Sequence, residues 1–542
     1  MDRKDLANLI FPDVKDYTYY EEQYPERNLP EGAIVTRFAP SPTGFVHIGG
    51  IYQSLIAKLM TKEQGVFFVR IEDTDQKREV ENGTKQIIDA LYDFDLAPNE
   101  FVDENDVDHG AFGPYKQSLR REIYHSYAKR LLEEGNAYPC FCSTEDLDHI
   151  RENQEKAKER TGYYGKWTKC RNMPVEMAIE RIKNGDPYIV RFKSPGNPDK
   201  KIKHKDVIKG AVDFPENDQD IVIIKSDGLP TYHFAHAVDD HLMHTTLVIR
   251  GDEWLASVPL HLQLFYVLGN KAPRYAHIAP MMKIDGEGKR KLSKRKDPES
   301  AVNYYKEEGI PKESVLEYLM NIANSNFEIW RKQNPDKSMY DFDFDMKKMG
   351  VSGALFDMVK MLDVSKNVIS KLSAEEVYEA SLKWANEFDQ ELAEMLSDKE
   401  YSLKVLGIER GNAKPRKDIA KWSDVKNIIY YMYPEKFDKN GEFEYQKITD
   451  ENEINNIVKT YFEKYYDESD DKQTWFNKMK DLAEEMGYCR EVKEYKANPE
   501  SFKGHVGDIS TVLRVKLTGR SNTPDLYEIM HVLGKEELLR RI

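Results

Sequence analysis

Two short stretches carry side chains suited to chemistry at phosphorus. Arg37-Phe38-Ala39-Pro40-Ser41-Pro42-Thr43-Gly44-Phe45-Val46-His47-Ile48-Gly49-Gly50 sets an imidazole just ahead of two glycines. Far downstream, Lys291-Leu292-Ser293-Lys294-Arg295 supplies two ammonium groups. Donors of this kind stabilise the negative charge that moves onto phosphoryl oxygens as a bond to phosphorus is exchanged. Removing one commonly costs ~10²–10³ in rate. Each stretch alone has a plainer reading. A histidine at a helix start is usually a cap or a solvated side chain, and a basic run is usually a solvated loop.

The elements that must position these groups read as a nucleotide-binding α/β unit. Ala33 to Phe38 is β-rich and ends in Ala39-Pro40-Ser41-Pro42-Thr43-Gly44, where two prolines exclude helix. From His47 to Gln64, Ile48, Ile51, Leu55 and Leu59 recur at helical spacing, and Gly65 is the expected stop. Val66 to Ile71 is the next expected strand, followed by Glu72-Asp73-Thr74-Asp75. Strand, loop, helix, strand opens a doubly wound sheet. It brings the N–H groups and positive dipole end of a helix to a phosphate. The two glycines leave room for an adenine or ribose against the backbone. ATP is therefore the expected nucleotide, at Thr43, Gly44, His47, Gly49, Gly50, Lys291, Ser293 and Lys294.

The gross numbers constrain the setting. A chain of 542 residues needs several domains. Hydrophobic residues are 40% and charged residues 32%, the balance of a folded, well-solvated protein. No apolar run is long enough to span a membrane, and the charged N-terminus has no signal-peptide pattern. Four cysteines, Cys140, Cys142, Cys170 and Cys489, do not make a disulfide scaffold, so a cytoplasmic location is expected. Net charge is −15, which by itself argues against a polyanionic partner. Local patches matter more, and Met281 to Lys296 holds seven basic residues against two acidic ones.

Taken together and in this order, the two stretches resemble the HIGH and KMSKS signatures of class I aminoacyl-tRNA synthetases. Their surroundings are similar to bacterial-type glutamyl-tRNA synthetases, most closely at residues 33–75, 220–300 and 513–537. That resemblance implies an α/β Rossmann-like (HUP-type) catalytic domain at 33–114 and 216–283, split by an α+β connective insertion at 115–215. It implies a stem-contact domain at 284–375 and an all-helical anticodon-binding region at 376–542, with residues 1–32 as an N-terminal extension. It implies a glutamate–tRNA ligase that makes glutamyl-adenylate from glutamate and ATP with Mg²⁺. Glutamate would then pass to the 3′-terminal adenosine of tRNA(Glu), with tRNA(Gln) open as a second acceptor. A monomer is expected. The alternatives are a relative that modifies a tRNA base with activated glutamate and a non-catalytic tRNA-binding paralogue. The long region after Lys296 argues against the first, and intact His47, Lys291 and Lys294 against the second.

By the same resemblance, His47, Lys291 and Lys294 are catalytic. Glutamate would be held by Arg37, Ser41, Glu72, Tyr232, His236 and Arg250. Arg37 and Arg250 would take carboxylates, as a planar guanidinium does well, and Glu72 the ammonium, with Tyr232 lining the pocket. His236 stands where the family commonly carries Asn. A structural alternative pairs Arg250 with Asp239 or Asp240 and puts Tyr232 in the core. In the insertion, some relatives bind zinc. Cys140, Cys142 and Cys170 with Tyr164 are the candidate ligands, and three free thiols are the alternative.

The C-terminal half changes character. Ser373-Ala374-Glu375-Glu376 and Asp450-Glu451-Asn452-Glu453 read as helix-opening capping boxes. In the extension, Phe11, Tyr17, Tyr19, Tyr20 and Tyr24 suggest packing on the body.

Overall fold

The computed structural model describes residues 2–44, 46–75, 77 and 79–542; Phe45 of the first motif lies outside them. The chain divides into two compact units, Met1–Tyr304 with Leu316–Asp357, and Tyr305–Val315 with Met358–Ile542.

The first unit is built on parallel strand pairs. Val35–Phe38 pairs with Val66–Val69, and every residue of both strands is buried, as a sheet covered on both faces requires. Leu247–Gly251 pairs in parallel with Arg274–Ile278. The two pairs meet where Thr246 N–H donates to Val35 O at 2.9 Å. Between the first two strands runs the helix Ile48–Thr61, which buries Ile48, Ile51, Leu55, Ile56 and Leu59. The helix stops before the expected glycine, at Lys62 with φ +50°. Gly65 serves a different need: a Cβ there would lie 2.2 Å from Ile34 O.

The insertion supplies the helix Arg121–Glu134, closed by Gly135 in the left-handed region. An antiparallel sheet of Ala137–Cys140, Ile189–Phe192 and Val222–Ile224 follows. A hairpin of Lys201–Asp206 and Gly210–Pro215 exposes Lys201, Lys203 and Lys205 at the strand period of two.

The N-terminal extension forms the helices Arg3–Ile10 and Tyr17–Gln23, both packed on Arg121–Glu134. Phe11, Tyr20 and Tyr24 are buried, while Tyr19 is exposed. Arg27 bonds both Glu100 carboxylate oxygens at 2.7 and 2.8 Å and the Met243 carbonyl at 3.0 Å. Glu21 meets His241 at 2.9 Å.

Ahead of the second motif, Met282–Asp285 and Gly288–Lys291 form an antiparallel hairpin, so Lys291 ends a strand.

The second unit is helical, and among its described residues no strand forms. Ser373 makes the reciprocal capping box with Glu376 and opens Ala374–Phe388. Asp450 caps Glu451–Thr460 through Glu453 N–H. One core joins Val377, Leu392, Leu406, Ile457, Leu482 and Leu513.

Candidate active site

The two motifs, more than 240 residues apart, share one cavity of about 460 Å³. His47, Gly49 and Gly50 line it from one side and Lys291, Leu292 and Lys294 from another, with Tyr52, Gln53 and Glu253. The chain brings them together by pairing His47 with Ala301, and by the Val302 N–H bond to Val46 O. Thr43, Gly44 and Ser293 are not among the lining residues. Thr43 N–H donates to Ser41 O at 2.8 Å within the first loop.

His47 caps the helix Ile48–Thr61, with Nδ1 accepting from Gly49 N–H at 2.9 Å. An accepting Nδ1 puts the ring proton on Nε2, so the neutral ring still donates. Burial, then the nearby charges of Lys294 and Lys291, push its pKa down to about 4. Burial also lowers the Lys294 ammonium from its ordinary value.

Asp297, absent from the sequence reading, organises the second motif. Its carboxylate accepts from Arg290 at 2.6 and 2.8 Å and from Ser293 N–H at 2.9 Å, and it is almost fully buried. The Arg290 guanidinium, helped by Ser293 N–H and Lys283, holds it far below the usual carboxylate range. The basic run is thus partly neutralised: Arg290 is committed to Asp285 and Asp297, and Lys283 to Asp297 and Glu299. Lys291 stays exposed, 3.7 Å from Glu253.

Behind the cavity lies a balanced ion network. Arg37 Nε meets Asp240 at 3.1 Å; Arg70 meets Asp240 at 2.9 Å and Glu72 at 3.1 Å; Arg120 meets Asp239 at 2.7 Å. Gln117 and Tyr124 also donate to Asp239. Three guanidinium groups face three carboxylates, all buried. Burial opposes the charge on Asp240, but Arg37 and Arg70 hold its pKa well below the ordinary value. For Glu72 burial prevails and the pKa rises. Arg37, expected to face a substrate carboxylate, is 1% exposed and occupied by Asp240.

Arg250 differs. Among the described residues no carboxylate lies within ion-pair distance of it. Its Nε donates to His277 Nε2 at 3.0 Å, its Nη1 reaches His261 Nδ1 at 3.1 Å and Tyr232 Oη at 3.4 Å, and Nη2 reaches Trp254 O at 3.3 Å. The internal ion pair suggested for Arg250 belongs instead to Arg37. Burial, reinforced by the Arg250 charge, pushes His233 down to about 4 and lowers His277, and burial takes His261 well below its ordinary value. Tyr232 opens the helix Tyr232–Leu242, 4.2 Å from the Trp254 ring. His236 is fully buried, with Nε2 2.9 Å from Tyr275 Oη and Nδ1 2.5 Å from Asp240. It therefore supports Asp240, where a donor to the substrate had been expected. Ser41 is exposed in the first loop.

In the insertion, the sulfurs of Cys140, Cys142 and Cys170 lie within 4.8 Å of one another. The hydroxyl beside them is not that of Tyr164, which donates to Arg160 O at 2.7 Å. It is that of Tyr163, 3.5 Å from Cys140 and 3.3 Å from Cys142. Tyr164 has extended backbone (φ −149°, ψ 157°), and in extended chain neighbouring side chains leave on opposite sides.

Sequence reasoning missed Arg70, Asp206, His261, His277 and Asp297. Adjacent Asp239-Asp240 on an otherwise apolar helical face was the one readable sign of a buried network.

A family model described as "tRNA synthetases class I (E and Q), catalytic domain" matches residues 33–360, and one described as "Anticodon binding domain" matches residues 376–542. The chain is similar to a glutamate–tRNA ligase of Clostridium perfringens (strain 13 / Type A), 51% identical over 547 residues covering 100% of each chain, so the likeness includes the N-terminal extension. It is 48% identical to the glutamate–tRNA ligase of Acetivibrio thermocellus, over 100% of this chain and 99% of that one. A crystal structure of a glutamate tRNA ligase from Elizabethkingia meningosepticum, in complex with its amino acid, matches with TM-score 0.74 and 28% identity, over 94% of this chain and 98% of that one.

Proposed function

The chain belongs to the class I glutamate–tRNA ligases, and from that premise we propose that its two motifs activate glutamate through His47, Lys291 and Lys294 while Arg250 recognises the substrate's side-chain carboxylate. A glutamate carboxylate oxygen attacks the α-phosphorus of ATP and pyrophosphate leaves. The terminal adenosine hydroxyl of tRNA then attacks the glutamyl carbonyl, and AMP leaves. His47 donates from Nε2 and the two lysines add positive charge where the leaving pyrophosphate gathers negative charge. Mg²⁺, when bound with ATP, neutralises part of the triphosphate charge. The observation that carries this reading is the convergence of both motifs on one cavity with a neutral, donating His47.

Arg250 suits a carboxylate because it is a buried cation whose protein partners are all neutral. Glu72 is read as the partner of the ammonium and Tyr232 as lining the pocket beside Arg250. Arg37 supports it by holding Asp240. A tRNA partner is supported by the exposed Lys201, Lys203 and Lys205. In the helical unit, a hollow of about 610 Å³ is lined by Trp475, Phe476 and Arg514, a combination suited to stacking and hydrogen bonding of a nucleobase. Four cysteines, none in a disulfide, suit a reducing cytoplasm.

We read the three thiols as a structural zinc site with Tyr163 as fourth ligand. A tetrahedral zinc with ~2.3 Å bonds holds its sulfurs about 3.8 Å apart, and Cys142 and Cys170 stand at 3.8 Å. Bound metal would tie the loop after Ala137–Cys140 to Cys170. Metal analysis of protein purified without chelator should return one zinc per chain; well under one refutes the site.

The activity is tested by pyrophosphate exchange with glutamate and ATP, with and without tRNA. Exchange is expected, strongest with tRNA present. No exchange under either condition would refute the ligase reading.

A further inference from the structure

The contacts of Arg250 continue into a chain with a defined direction. Asp206 is buried, and its Oδ1 accepts from the backbone N–H of Ile208 at 2.9 Å and of Lys209 at 2.8 Å. Those two bonds fix which oxygen faces the other way. Oδ2 stands 2.6 Å from His277 Nδ1. An ionised carboxylate only accepts, so the His277 proton is on Nδ1 and its Nε2 is an acceptor. Arg250 Nε–H, which only donates, fills that acceptor at 3.0 Å. On the other side, Arg250 Nη1 needs His261 Nδ1 as an acceptor at 3.1 Å. The His261 proton therefore sits on Nε2, 2.9 Å from His233 Nδ1. Every donor meets an acceptor only if all three rings are neutral and each takes one tautomer.

We propose that Asp206, His277 and His261 are positioning residues for glutamate recognition: Asp206 sets the His277 tautomer, and the two imidazoles aim the Arg250 guanidinium while leaving its positive charge uncompensated. The proposal rests on the reading that Arg250 takes the substrate's side-chain carboxylate. The two shorter bonds, to His277 and His261, orient the group. The longer contacts, 3.4 Å to Tyr232 and 3.3 Å to Trp254 O, are those a ligand carboxylate can displace. A carboxylate in place of either imidazole would aim Arg250 equally well but cancel the charge, as Asp240 does for Arg37. Interposing a ring puts the negative charge of Asp206 beyond direct contact. The low pKa values that burial imposes on His261 and His277 keep the rings neutral at working pH.

Asp206→Asn is the decisive variant. The amide oxygen keeps the Ile208 and Lys209 bonds, so the amide nitrogen turns to His277 Nδ1 and donates. The ring must then carry its proton on Nε2, facing Arg250 Nε–H, and two donors collide. The expected result is a KM for glutamate raised about 10- to 100-fold, with the KM for ATP nearly unchanged. The His261 pair gives an independent reading. His261→Ala should raise the glutamate KM, and His261→Asn, whose amide oxygen falls near Nδ1, should recover most of the loss. An unchanged glutamate KM in Asp206→Asn overturns the proposal. So does a parallel rise in both KM values, or equal impairment in the two His261 variants, because those mark a merely structural role. Should Asp206→Asn fail to fold, the His261 pair decides. Arg250→Ala separates the two levels: undiminished use of glutamate sinks the Arg250 reading itself. Its loss alongside a silent Asp206→Asn sinks only the positioning.

Discussion

Two arginines of the catalytic unit, Arg37 and Arg250, sit on neighbouring strands in almost equal burial, yet their surroundings are opposite. Arg37 belongs to a cluster in which Arg70 and Arg120 also meet Asp239, Asp240 and Glu72, with charge balanced inside the protein. Arg250 is held by neutral rings and a carbonyl. A buried charge that the protein already compensates serves the fold. One that it orients but does not compensate is arranged for something that arrives later. Burial alone would not separate them, since Arg37 is 1% and Arg250 4% exposed.

The comparison breaks most sharply at its balanced end. Asp240→Ala strands Arg37, removes one of the carboxylates of Arg70 and should destabilise the catalytic unit by about 3–5 kcal/mol, read by urea unfolding; a loss under 1 kcal/mol would dissolve the contrast. Arg250→Ala should do the reverse, cutting kcat/KM for glutamate by about 10³-fold while the unfolding midpoint moves little. Exchange kinetics and melting on the same preparation check both halves.

A third prediction uses pH. His47, His233 and His236 are pushed to about 4, and His261 and His277 are also lowered, chiefly by burial. These groups are neutral when folded, whereas unfolded histidine titrates at about 6.5. The unfolded state therefore binds more protons, and stability falls as pH drops from about 6.5 toward 4, by up to ~1.4 kcal/mol per histidine per pH unit. Eleven of the thirteen histidines lie in the first unit. Its transition should thus lose ground to that of the helical unit in calorimetry at pH 5, and a uniform shift would contradict this. The smallest effect is expected from Tyr163→Phe, which leaves three thiolates to hold zinc. It should lower the melting temperature by a few degrees, corresponding to about 1 kcal/mol, and quicken metal loss to a chelator. Tyr164→Phe should do neither.

What the residue order disclosed and what it hid follow from distance along the chain. Both motifs, the strand–helix–strand start and the Ser373 capping box rest on neighbours a few residues apart, and all were readable. Which arginine meets Asp240 was not, because Arg37 and Asp240 are 203 residues apart, and spacing has no power over that range. His261 and His277 belong to no motif and gain their meaning only where two strands and a helix converge. The choice between Tyr163 and Tyr164 turned on which of two adjacent side chains faces the sulfurs. The helix end at Lys62 was misplaced because Gly65 stands three residues beyond it, required by crowding against the carbonyls of Ile34 and Thr61.

The N-terminal extension has a consequence in time. Arg27 reaches Met243 and Glu21 reaches His241 across 216 and 220 residues of chain. During synthesis at about 5–20 residues per second, these partners emerge on the order of ten to forty seconds after the segment that needs them. Phe11, Tyr20 and Tyr24, buried in the finished protein, wait for less of the chain, until Phe112 and the helix Arg121–Glu134 have been made. The extension completes its polar contacts only after residue 243 is made, and a nascent chain stalled before residue 112 would present those aromatics to whatever binds exposed apolar segments.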